Sequence, residues 1–217
     1  MKQKPNFPAC NIANIIIKEA KADKSRSSAA LHHIWYDAEK DAGYVTDGKR
    51  LLRATAADFG VNRDELKTGY YDLIMIDGYP RFIPVKCSDM FPNCEAVIPA
   101  GDTVFTRFHY EKKKDATAQS QQRFLLQMLV FHASRKRYPN DPKCWQTLSE
   151  ARLDAIDKSG TDWQIEIYNR FDPICFKHDN ILLCSCLCAV LLINRYSKRA
   201  ASGRKKTTNT RRLERYE

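Results

Sequence analysis

The sequence lacks the features of an exported or membrane-spanning chain. A cleaved export signal needs a continuous apolar core, but here the N-terminal apolar residues are interrupted by Asn11 and Asn14. The longest apolar run, residues 181–193, has thirteen residues, whereas a membrane-spanning helix needs about 20. We therefore expect a cytoplasmic chain in a reducing compartment. Its eight cysteines would then serve mainly as small packing residues.

The sequence also lacks the short motifs that indicate catalysis. It has no nucleophile motif, no glycine loop that cradles phosphate and no dinucleotide fingerprint. It contains no internal repeat, and no extended linker precedes residue 195. These absences favour a non-catalytic protein without a cofactor.

Positive charge is concentrated at the C-terminal end. Residues 195–217 contain nine lysine or arginine and two glutamate side chains, a net charge of +7, while the whole chain carries +10. The remaining 194 residues are therefore nearly balanced, at +3. A basic segment with so few apolar residues cannot bury enough surface to offset its ordering entropy. We expect a disordered tail that binds polyanions.

Apolar periodicity predicts an N-terminal helical region over residues 1–70. Apolar residues recur at helical spacing from Pro8 to Ala22, which predicts a first helix. The same criterion predicts a second helix over residues 27–42 and a third over 46–59, each followed by glycine.

Residues 71–171 are predicted to form a small antiparallel sheet with helices. Extended patterns flank Gly78 and predict a hairpin, with Pro84 at an edge, and a second strand pair is predicted over 95–99 and 103–111. An apolar helix over 117–138 is expected to be buried against this sheet.

The C-terminal half is completed by three further predicted elements. A helix over 144–157 precedes an alternating strand near residues 162–171. We expect an apolar C-terminal helix over 172–194 and the disordered basic tail over 195–217. The predicted fold is thus α+β, with a buried central helix.

The stretch from Thr55 to Gly69 resembles the helix-turn-helix DNA-binding motif. Ala56, Gly60 and Leu66 match its small residue, tight turn and core residue. Asn62 is predicted to cap the second helix, with Glu65 completing the cap. The resemblance implies that four residues face the major groove: Asn62, Arg63, Lys67 and Thr68. The alternative is an ordinary helical corner that binds no ligand.

Asp102, Glu111 and Lys113 resemble the site of the PD-(D/E)xK nucleases. The resemblance implies that the two carboxylates hold Mg²⁺ while the lysine stabilises developing charge. Lys112 departs from this motif, which has an apolar residue at its position. The alternative is a solvated strand end running into the charged sequence EKKKD.

The cysteine-rich C-terminal segment allows three interpretations. Its potential zinc ligands are Cys175, His178, Cys184, Cys186 and Cys188, but the Cys-x-Cys-x-Cys spacing lacks the two-residue gap typical of zinc sites. The basic flank also fits membrane association through residues 181–206. The plainest interpretation is a core helix, or a homodimer interface formed by residues 181–193.

Taken together, these patterns favour a regulatory or accessory protein that binds nucleic acid, DNA in particular, mainly by neutralising phosphates. The alternatives are a membrane-associated or protein-interaction module and a Mg²⁺-dependent nuclease. The tail residues expected to contact phosphate are Arg195, Lys198, Arg199, Arg204, Lys205, Lys206, Arg211 and Arg212.

Overall fold

The chain folds mainly as one large sheet. The computed structural model describes residues 6–24, 28–99, 104–111, 113–137, 140, 153, 156–157, 161–168 and 174–185. Within these ranges lie two helices of more than one turn and nine strands, all joined in one antiparallel sheet. The predicted α+β fold, with N-terminal helices and a small sheet, is therefore wrong.

The elements follow one another with short connections in the first half of the chain. The helices are α1 (Pro8–Ala22) and α2 (Ala116–Arg137). The strands are β1 (Ile34–Asp37), β2 (Ala42–Thr46), β3 (Arg50–Ala54), β4 (Gly69–Ile76), β5 (Tyr79–Val85), β6 (Val104–Tyr110), β7 (Trp163–Tyr168), β8 (Ile174–His178) and β9 (Ile181–Ser185). Their order across the sheet is β5-β4-β1-β2-β3-β9-β8-β7-β6.

The sheet repeats one arrangement on either side of the β3–β9 pair. The first half runs α1-β1-β2-β3 and the second α2-β7-β8-β9, with β4 beside β1 and β6 beside β7. The halves meet where Arg50 lies opposite Ser185 and Arg53 opposite Leu182. This repeat is not visible in the sequence, because corresponding elements of the two halves carry different side chains.

Strand pleating separates two faces of the sheet, since successive side chains point to opposite sides. On the helix face, Ile34, Val45 and Leu52 are completely buried, and α1 packs against β2 and β3 on this side. The opposite face, here named the outer face, carries Trp35 and Tyr44. Residues 86–99, here named the covering segment, pack over part of it through Phe91, Cys94 and Val97.

Both faces of the central strands are therefore apolar, which explains the wrong helix predictions. All five residues of β2 are buried, and a strand buried on both faces has no alternating pattern. The predicted second helix is a short 3₁₀ turn, Ala29–His32, followed by β1, and the third is replaced by β3. The predicted C-terminal helix is the hairpin β8–β9 as far as residue 185.

Two further predictions fail in the middle of the chain. The expected strand at 95–99 is a 3₁₀ turn, Glu95–Val97, and β6 pairs with β7 instead. Helix α2 exists but is not buried all round, because Phe124, Leu125 and Met128 are about half exposed.

Other predictions are confirmed. Helix α1 has the predicted bounds, β4 and β5 form the predicted hairpin, and β7 lies where alternation placed it. Leu153 and Ile156, expected to face inward from the helix over 144–157, are buried. The rest of that helix lies outside the described residues.

The β5 edge carries two prolines, as expected for Pro84. Pro80 and Pro84 lie opposite Met75 and Tyr71 of β4. Because proline has no N–H, it is tolerated where the strand faces no further neighbour. The prolines leave the edge with fewer donors for another strand.

A buried ion cluster ties α1 to the β2–β3 turn. Arg50 is 5% exposed and donates to Asp47 Oδ2 from Nε at 3.0 Å and from Nη2 at 2.7 Å. Its Nη2 also donates to Glu19 Oε2 of α1 at 2.6 Å. Burial alone would raise the pKa of Asp47, but the charge and hydrogen bonds of Arg50 outweigh it and lower that pKa.

Candidate functional site

Two adjacent cavities, each of about 400 Å³, lie on the outer face. We name them the aromatic cavity and the basic cavity. Lys40, in the turn between β1 and β2, lines both. The two cavities therefore form one interrupted groove across the first half of the sheet and its junction with the second.

The aromatic cavity is formed by side chains from β1, β4 and the covering segment. The Trp35 ring lies edge-on to Tyr70, with 4.8 Å between ring centroids, and nearly parallel to Phe91 at 6.3 Å. The Tyr70 hydroxyl donates to the Asp89 carbonyl oxygen at 2.6 Å, which fixes the ring against the covering segment. Trp35 and Phe91 remain partly exposed and offer flat apolar surfaces to a ligand.

Three carboxylates also line the aromatic cavity, and each accepts hydrogen bonds from the protein. Asp37 accepts from backbone N–H groups of the following turn at 3.1 and 3.3 Å. Asp89 accepts from the Ala29 N–H at 2.7 Å, and Glu95 accepts from the Tyr44 hydroxyl. Burial and that bond to Glu95 raise the pKa of Tyr44, so its hydroxyl remains a donor. These acids thus help to hold the cavity walls in place.

The basic cavity is lined by three cations from separate parts of the chain and by two carboxylates, Asp41 and Asp179. Lys40, Arg53 and Lys177 have side chains 54%, 41% and 44% exposed. Arg53 and Lys177 lie on the same face of the sheet, two strands apart, because both are opposite Leu182 of β9. The pairing of β3 with β9 therefore brings together cations that are 124 positions apart in the sequence.

Beside the basic cavity, Glu166 of β7 holds two of the cations of the outer face. Glu166 is 5% exposed; it accepts from Lys177 Nζ at 2.6 Å, from Arg107 Nε at 3.2 Å and from the Tyr168 hydroxyl at 2.7 Å. Burial alone would raise the pKa of Glu166, but the bonds from Lys177 and Tyr168 outweigh it and lower that pKa. One carboxylate thus serves two cations, which leaves this cluster at +1.

The residues predicted as zinc ligands do not come together on one face of the sheet. Cys175 and Cys184 are adjacent, but His178 alternates to the other face, where its ring lies 2.7 Å from Thr161 Oγ1. Cys186 and Cys188 lie outside the described residues. Among the residues that the structure describes, no three His, Cys, Asp or Glu side chains are arranged to hold a metal ion.

The predicted helix-turn-helix is wrong, although its turn glycine is confirmed. Gly60 has φ +70°, and an added Cβ would lie 2.2 Å from the Phe7 ring. No pair of helices follows, because β3 leads into a tight turn and then a single 3₁₀ turn, Arg63–Glu65. Asn62 caps that turn by accepting from the Asp64 N–H at 3.2 Å and donating to Glu65 at 3.1 Å.

Two more residues predicted for DNA contact lie in the chain that leads to β4. The Thr68 hydroxyl oxygen accepts from the Ala38 N–H at 3.1 Å, and the Lys67 N–H donates to the Tyr71 hydroxyl at 2.9 Å. With Asn62 and Arg63, they form an irregular exposed stretch instead of a recognition helix.

The nuclease triad is only partly described. Glu111 and Lys113 form an exposed ion pair just after β6, and His109 Nε2 lies 3.4 Å from Glu111. Asp102 lies outside the described residues. The arrangement of the described residues is that of a charged strand end.

The predicted C-terminal contacts fall largely outside the described residues, including every tail cation from Arg195 to Arg212. The described part of the predicted dimer segment is β9, which lies between β3 and β8 inside the sheet. No helix in the described part of the chain is long and apolar enough to span a bilayer.

Comparison with known proteins gives only distant similarities, all to solved structures. No protein-family model matches the chain, and no curated protein matches it. A solved structure of a candidate DNA polymerase III beta subunit from Eubacterium rectale ATCC 33656 is similar, with a TM-score of 0.40 and 14% sequence identity. The match covers 83% of this chain and 62% of that one.

Sequence reasoning missed the outer face as a site. Trp35 and Lys40 were assigned to a helix, and Arg53, Arg107, Glu166 and Lys177 come from four different strands. One signal was present: Gln164 and Glu166 alternate with isoleucine and tryptophan in WQIEIY, which places a charged residue on one face of a predicted strand.

Proposed function

We propose that this chain is a non-catalytic nucleic-acid-binding protein whose outer face receives a single strand. The observation that carries the proposal is the junction of an aromatic and a basic cavity at Lys40. Proteins that bind single strands combine cations, which neutralise phosphates, with aromatic rings on which bases stack. Here Arg53 and Lys177 would contact phosphates, while Trp35 and Phe91 would stack on bases.

The basic residues 195–217 would supply further affinity that does not depend on base sequence. Their net charge of +7 compares with +3 for the rest of the chain. If about five of these cations each neutralise one phosphate, log K falls with log salt at a slope near −4.5 for duplex DNA and near −3.5 for a single strand.

Fluorescence anisotropy with labelled oligonucleotides at several salt concentrations tests the proposal. Deleting residues 195–217 should flatten the salt slope by about 3 to 5, and the shortened chain should still prefer single strands to duplex. Anionic vesicles serve as a parallel ligand of similar charge. Binding to the vesicles but to no oligonucleotide would refute the proposal.

A matched pair of aromatic substitutions tests the role of the cavity. Trp35→Ala should weaken single-strand binding about 5- to 160-fold, since a base–aromatic stack contributes about 1–3 kcal/mol. Phe124→Ala is the control, because Phe124 is 64% exposed on α2 and lines neither outer-face cavity. Equal affinities of the two variants would remove the aromatic cavity from the interface.

A further inference from the structure

Two thiols lie against each other at the centre of the second half of the sheet. Cys175 of β8 is directly opposite Cys184 of β9, and their Sγ atoms are 3.1 Å apart. Opposite residues of antiparallel strands have Cβ atoms about 4.5–5.5 Å apart, and a disulfide needs about 3.5–4.5 Å. A small approach of the two strands is therefore enough to form an S–S bond.

The pair lies directly beneath the basic cavity. Cys175 is 1% exposed, yet it lines this cavity together with Tyr168 and Lys177. Cys10 provides a contrast. It lies on α1, is buried against the turn before Gly60, and its S–H donates to the Phe59 carbonyl oxygen at 3.1 Å. Cys175, by contrast, is already in contact with a second thiol.

We propose that Cys175 and Cys184 form a redox modification site, which closes to a disulfide on reaction with a hydroperoxide. The Cys175 sulfur attacks the peroxide, breaks its O–O bond and becomes a sulfenic acid, releasing one water. The Cys184 sulfur then attacks the Cys175 sulfur; the S–S bond forms, the S–O bond breaks and a second water leaves. In total, two thiols are oxidised while one hydrogen peroxide is reduced to two waters.

This inference goes beyond the proposed function and does not depend on it. The new bond would join β8 to β9 at the floor of the basic cavity, next to Lys177 and Leu182 on the same face. Oxidation would therefore change the floor of the cavity while leaving the cations of its rim in place.

Peptide mapping of the full chain tests the proposal. Reduced protein is treated with hydrogen peroxide, its remaining thiols are alkylated, and it is digested with trypsin without reducing agent. We expect a linked pair of peptides, 171–177 and 178–195, that lacks two hydrogen atoms and separates on treatment with dithiothreitol. Fragment ions must assign the link to Cys184, since the second peptide also contains Cys186 and Cys188.

Two variants make the test specific. Cys184→Ser should abolish the link, and Cys87→Ser, which removes a more accessible thiol outside the pair, should leave it unchanged. If Cys184→Ser fails to fold, the fragment ions of the unsubstituted chain decide the question. Two results would overturn the proposal. In the first, Cys175 is still recovered in alkylated form after Cys87 has been oxidised. In the second, Cys175 is linked preferentially to Cys186 or Cys188.

Discussion

Replacing Glu166 with glutamine changes the charge of the outer face with almost no change in shape. Glutamine can still accept the hydrogen bond from Tyr168, but it no longer neutralises Arg107 or Lys177. Those two side chains are 65% and 44% exposed, so water can solvate them once the carboxylate is gone. We expect the free energy of unfolding to fall by only about 1–2 kcal/mol.

The effect on nucleic-acid binding should be of opposite sign, a gain in affinity. The Glu166 cluster changes from +1 to +2, and one added charge at roughly 8 Å from a phosphate, with an effective dielectric constant near 40, contributes about 1 kcal/mol. This corresponds to roughly fivefold tighter binding at low salt. If the released cation gains one phosphate contact, the slope of log K against log salt becomes steeper by about 0.7 for a single strand.

Anisotropy titrations with a single-stranded oligonucleotide measure both quantities. Asp64→Asn provides the control, because it removes the same charge from an exposed position that lines neither outer-face cavity. Circular dichroism shows that each variant is folded. If Glu166→Gln and Asp64→Asn tighten binding equally, the effect is one of net charge and the placement of the site at Glu166 is refuted.

Three further predictions concern stability, and urea unfolding measures each. Arg50→Met should destabilise the protein by about 3–5 kcal/mol, because the buried Asp47 carboxylate would lose the cation that compensates its charge, while the half-exposed Arg53→Met should cost less than about 1 kcal/mol. Folding lowers the pKa of Asp47 from 3.8. The stabilisation from Arg50 is therefore fully present above about pH 4 and is lost as the pH falls further. The difference in free energy of unfolding between the unsubstituted chain and Arg50→Met should accordingly shrink in acid. Gly60→Ala should cost at least about 1–3 kcal/mol, because φ is +70° and the added methyl group meets an aromatic ring. Gly69→Ala, with no atom within 4 Å of the added Cβ, should change stability by no more than about 1 kcal/mol. Equal losses of unfolding free energy for Gly60→Ala and Gly69→Ala would contradict the explanation given for Gly60.

Helix α1 and the β4–β5 hairpin were predicted correctly because their local sequence carries a clear signal. In α1 the buried residues recur every three or four positions, and in the β4–β5 hairpin Asp77 and Gly78 provide a turn with positive φ at both residues. Strands β2 and β3 were missed because nearly all of their residues are buried, on both faces of the sheet. Their apolar runs have the composition of a buried helix as much as that of a central strand.

The candidate site was harder to predict than the fold because it depends on long-range pairing. Arg53 and Lys177 come to the same face, on either side of Leu182, only when β3 pairs with β9, and local sequence carries no information about that pairing. The cysteine pair shows the same limit: Cys175 and Cys184 look like members of a ligand series in the sequence, but the turn at Asp179 sets them opposite each other. Counting charge along the chain detected the basic residues after 194. It overlooked the smaller cluster around Glu166, whose members lie far apart in the sequence.

The β3–β9 pair has a consequence for how this chain is made. Its partners run from Arg50 opposite Ser185 to Arg53 opposite Leu182, so β3 emerges from the ribosome long before the strand that completes it. At a synthesis rate of about 5–20 residues per second, one edge of β3 stays unpaired for roughly 7–26 seconds. During that interval the nascent chain presents an apolar strand to any neighbour, so this protein should be most prone to aggregate while it is being synthesised.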